Sequence, residues 1–71
     1  MSLFLPSLWV YVWYADGTCE NVANTDTLTK AEADAYAERW EKAREKPVVR
    51  VSLGKNEKDI VKEYHYHEED C

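Results

Sequence analysis

Residues 8–14, Leu-Trp-Val-Tyr-Val-Trp-Tyr, are an apolar run that leads into Asp16-Gly17. A β-strand sends successive side chains to opposite sides. Trp9, Tyr11 and Trp13 therefore share one face of the strand, and Leu8, Val10, Val12 and Tyr14 share the other. A chain of 71 residues holds one domain, 1–71, with room for a single substantial helix. One helix roofs one face of a sheet, so the second greasy face needs another use.

Asp-Gly is a favoured two-residue hairpin turn, because the positive φ it requires suits Gly and is tolerated by Asp. With Asp16-Gly17 as the loop, Tyr14 faces Cys19, Val12 faces Asn21 and Val10 faces Ala23. Cys19, Asn21 and Ala23 then join the Val10 side, while Thr18, Glu20 and Val22 join the tryptophan side. The second strand, 18–23, is weakened by Asn21, and it is either a short edge strand or a loop.

Residues 24–27 are a polar connector. Thr29 with Glu32 reads as a capping box, with Thr27 as a competing cap, and the helix is expected over about 30–45, stopped by Pro47. Ala33, Tyr36, Ala37, Trp40 and Ala43 or Arg44 keep the spacing of a buried stripe. Glu38 and Lys42 are placed for an i, i+4 ion pair on the solvated face. Residues 48–53 alternate with Val49, Val51 and Leu53 on one side. Residues 54–59 are a charged turn, and 60–67 read as the last strand.

The expected fold is α+β, a small ββαββ (or βαββ) domain with one helix packed on one face of a mainly antiparallel three- to four-stranded sheet. The helix is expected on the Val10, Val12 and Tyr14 side. Tyr36 and Trp40 already bring bulk from the helix, and adding Trp9, Tyr11 and Trp13 to the same layer would overfill it. Residues 1–6 are an N-terminal arm whose first three positions could be a vector remnant, and 68–71 are an acidic tail expected to fray.

Nine Lys plus Arg against fourteen Asp plus Glu give a formal charge of −5. That balance excludes non-specific nucleic-acid binding and docking on anionic membranes, both of which need basic side chains. The apolar start has no basic n-region and is too short to span a bilayer as a helix. Two cysteines, Cys19 and Cys71, make no disulfide framework and suit a reducing, cytoplasmic location with free thiols.

No catalytic or cofactor motif is present, and neither an enzyme nor a small-molecule site is expected. Gly17 and Gly54 stand alone, so no phosphate-cradling loop exists. The aromatic row is the leading candidate: Trp9, Tyr11 and Trp13, with Val22 beside them and Arg50 able to add a cation–π contact, as a partner-binding face. The expected partner is another protein or a second copy, a two-fold homodimer being the commonest assembly. His65 and His67, two apart on a strand and so on one side, are weak candidates for a metal site with Glu63 or Cys71, but no second ligand pair has zinc spacing. A third reading is an enzyme site formed between subunits. The size suits a small accessory protein of the kind bacteria and phages encode.

Overall fold

A computed structural model describes residues 5–67. The elements run β1 (Trp9–Tyr14), β2 (Cys19–Asn24), α1 (Lys30–Arg44), β3 (Val48–Gly54) and β4 (Ile60–His65), the ββαββ order. The four strands form one antiparallel sheet in the order β2-β1-β3-β4, and α1 packs on one face. β2 does form, as an edge strand.

The helix lies over the side expected from side-chain volume. Val10, Val12 and Tyr14 of β1, Val48, Val51 and Leu53 of β3, Ala33 and Ala37 of α1, and Leu28 make the buried core. Tyr36 and Trp40 pack against its edge, and the alanines allow α1 close approach to the sheet. Val48 rather than Val49 fills the core, because the β1–β3 register skips one β3 residue between Trp13↔Arg50 and Tyr14↔Val48. Thr29 caps α1 with the full capping box: its Oγ1 accepts from Glu32 N (3.2 Å), and Glu32 Oε1 accepts from Thr29 N (2.9 Å). On α1 the ion pair is Lys30–Asp34 at 2.7 Å, and among the described residues Glu38 and Lys42 do not form the expected bridge.

The first hairpin departs from the two-residue reading. Gly17 N donates to Tyr14 O (3.0 Å) and Tyr14 N to Thr18 O (2.9 Å), so the loop is Ala15-Asp16-Gly17, with Gly17 at φ +92°. A tight turn followed by a left-handed glycine is the usual three-residue hairpin. One extra loop residue moves the register by one and reverses the sides of β2. Cys19 now pairs with Trp13, Glu20 with Val12 and Asn21 with Tyr11. A bulge then absorbs Val22, restoring the expected pair Val10↔Ala23.

Reversal brings Glu20 to the helix side, where Arg44 holds it in a two-pronged bond (Nε–Oε1 2.7 Å, Nη2–Oε2 2.8 Å). The Tyr14 hydroxyl donates to the same carboxylate at 2.6 Å. The Arg44 bond, then the Tyr14 bond, hold the Glu20 pKa down at about 2. Burial, then Glu20, push the Tyr14 phenol up to about 12. The fold thus favours the carboxylate form of Glu20, a contribution complete above the ordinary value of 4.5 and lost as pH falls towards about 2. For Tyr14 the favoured form is the neutral phenol, and that contribution fades as pH rises from 10 through about 12. In urea titrations, Glu20→Gln is expected to be less stable than wild type near neutrality and equal to it at the acid end, with a shallower loss between. A variant whose acid profile runs parallel to wild type would contradict this.

Candidate functional site

The face away from α1 is organised in rows across the sheet. One row is Cys19, Trp13, Arg50 and His65, and the next is Asn21, Tyr11, Ser52 and Glu63. Trp9, opposite Asn24 and Gly54, stands at the end.

The side chains of this face are tied together. Trp13 Nε1 donates to the buried Ser52 Oγ (2.8 Å), giving the indole a satisfied polar tip. The Arg50 guanidinium lies over the Trp13 ring at 4.2 Å from its centroid, the cation–π contact expected from sequence. Arg50 Nε is sealed and has no hydrogen-bond partner, and no ion pair engages its guanidinium among the described residues.

Tyr11 is only 8 % exposed, although the helix is on the other side. The turn between β3 and β4 bends back over it. Asn56 Oδ1 accepts from the backbone N–H groups of Lys58 (2.7 Å) and Asp59 (2.8 Å), and Lys55 N donates to Asp59 O (3.0 Å), which fixes the shape of the turn. Tyr11, Asn56, Glu57 and Lys58 line a shallow open depression of about 270 Å³. That is slightly below the roughly 300 Å³ at which ligand pockets begin.

The aromatic row is therefore unequal. Tyr11 is covered, Trp13 is half-buried, and Trp9 remains 37 % exposed. Val22 does not belong to this face: at the β2 bulge it turns to the core and packs there. Cys19 takes a place on the face that the two-residue turn had denied it. Its thiol is free; burial first, then the neighbouring Glu57 carboxylate, push its pKa up, with Arg50 pulling the other way. A thiol held in its protonated form is a poor nucleophile. Cys71 lies outside the described residues, as do positions 1–4 and 68–71 of the arm and tail.

His65 and His67 do not converge. His65 sits on the open face with Nε2 2.5 Å from Glu63 Oε1. β4 ends there, and His67, at φ 55°, places its Nε2 2.9 Å from Glu41 Oε1 of the helix. Glu41 also accepts from Val48 N at 3.0 Å. The same-side geometry holds only while the strand continues, and the left-handed turn at His67 ends it. Among the described residues no group of three or more His, Cys, Asp or Glu is placed to hold a metal ion, and no helix is long and apolar enough to cross a membrane.

Comparison with protein families, with curated proteins and with solved structures finds no match to this chain.

Proposed function

We propose that this protein is a small non-enzymatic interaction module that binds another protein chain through the sheet face carrying Trp9, Trp13 and Arg50. The observation that carries the reading is the state of the two indoles. Trp13 is pinned by Ser52 and Arg50, while Trp9, beyond Tyr11 at the end of the same strand, stays more than one-third exposed on a face that no helix covers. Immobilised tryptophan and arginine side chains lose little freedom on association, and these residue types dominate the centres of protein interfaces. The covered Tyr11 and the shallow depression beside it favour a flat macromolecular contact over a small ligand. The protonated Cys19 thiol and the divergent histidines likewise weigh against chemistry on this face. A free cysteine accords with a reducing, cytoplasmic setting.

Trp9→Glu tests the reading more cleanly than a change at Trp13, whose loss would also strip Ser52 and Arg50 of their contact. Trp9 begins its strand and is partly exposed, so the variant is expected to keep the wild-type circular dichroism. It is expected to weaken association about 100-fold, the effect of removing a tryptophan anchor and burying a charge. Association is read by light scattering of the pure chain and by co-purification from native extract. A folded variant that associates as wild type does in both assays overturns the proposal.

A further inference from the structure

Resting on that reading of the face, we infer that its partner is a second copy of this chain, joined about a two-fold axis that brings Arg50 of each protomer to Glu57 of the other. The argument is charge complementarity. The chain as a whole carries −5 and repels its own copy. The open face does not share that excess: Arg50 and Lys58 stand against Glu57 and Glu63, with Glu63 already engaged by His65. A two-fold interface brings one patch against itself, so the patch has to contain both members of every complementary pair.

Arg50 and Glu57 are such a pair. Arg50 lies over the Trp13 ring, and among the described residues neither Arg50 nor Glu57, whose carboxylate neighbours the Cys19 thiol, takes part in a salt bridge. Arg50 stands in the Cys19–Trp13 row and Glu57 lines the depression at the neighbouring Tyr11, which places cation and carboxylate within one small region of the face rather than at its opposite ends. A guanidinium with one face covered by an aromatic ring still donates in its own plane, and with Nε sealed it is the Nη edge that is left to receive a carboxylate from a second chain. The exposed Trp9 indoles then provide the apolar contact flanking the charge pairs.

Sedimentation equilibrium of the intact chain, over concentrations up to about 0.1 mM, tests this with wild type, Arg50→Glu, Glu57→Arg and the double exchange. Wild type is expected to dimerise. Each single reversal should raise the dissociation constant about tenfold or more, and the double exchange should return it to within about threefold of wild type. Glu57 lies on an exposed turn, so Glu57→Arg remains a folded test even if Arg50→Glu fails to fold, with circular dichroism as the check. A monomeric wild type overturns the inference, as does a dimer indifferent to Glu57→Arg. These failures differ from failure of the contact face itself. A monomer that loses another protein through Trp9→Glu, or a dimer broken by Trp9→Glu and untouched by charge reversal, removes the second copy or the pairing and leaves the face standing.

Discussion

Gly54→Ala is expected to lower the thermal midpoint by roughly 15 °C, from a destabilisation of about 3 kcal/mol in a domain of this size. Gly54 is buried where β3 meets both β1 and β4, opposite Trp9 and Ile60. The β3–β4 register skips a residue here, which pulls the returning backbone inward. A Cβ on Gly54 would lie 2.2 Å from the Asp59 carbonyl oxygen and 2.8 Å from Ile60 Cα. Both are backbone atoms, so no side chain can swing aside to relieve the overlap. The hairpin has to open, and the turn over Tyr11 moves with it. Gly17→Ala is the informative contrast. At Gly17 nothing lies within 4 Å of an added Cβ, and only the positive φ of 92° opposes it, a cost of about 1 kcal/mol. Thermal melts of the two variants side by side check the ordering. A Gly54→Ala protein as stable as Gly17→Ala would show that the close approach of the hairpin is wrong.

Leu28→Ala is expected to cost about 3 kcal/mol, within the range for emptying a buried leucine site. A domain of this size has only about 4–10 kcal/mol of stability to lose. Leu28 is 1 % exposed, and it belongs to the connector ahead of α1 rather than to any regular element. Its backbone is also fixed: the carbonyl accepts from Lys62 Nζ and from the Tyr64 hydroxyl, each at 3.2 Å. The connector therefore cannot slide inward to fill the space, and the cavity term is retained. Urea denaturation should show a lower midpoint with an unchanged slope. A loss below about 1 kcal/mol would mean that the site collapses freely.

Those two residues mark where sequence reasoning stops. The helix and its cap were readable because capping chemistry is local: Thr29 and Glu32 meet whatever the rest of the chain does. The helix-bearing face was readable from volume, since Tyr36 and Trp40 left space for the smaller side of β1, Val10, Val12 and Tyr14, and not for its two indoles. Leu28 was not legible, because a lone leucine in a polar connector has no periodicity to betray it. The sides of β2 were not legible either. Asp16-Gly17 suits two loop lengths, and whether Ala15 counts as loop or strand decides where Cys19, Glu20 and Asn21 point. Val22 left the candidate face for a related reason, a bulge that no residue type announces. The indole row with Arg50 was visible because strand alternation and a β-pairing brought them together. The cover over Tyr11 was not, since a charged turn gives no sign of the direction in which it folds.

The strand order carries a consequence for how the chain reaches this state. Its two middle strands, β1 and β3, are joined by a pairing that links Trp9 to Gly54 and so encloses both β2 and the helix. Either hairpin can start on its own, but a lone hairpin or a short helix is marginal in water. Val10 and Val12 find Val51 and Leu53 only once that long loop has closed, and the entropy of closure comes due before any of the burial is realised. Cleaving the backbone between the two hairpins should therefore leave two pieces with no half-structure to fall back on, and folding should proceed as a single all-or-none event whose pace is set by the meeting of chain segments far apart in sequence.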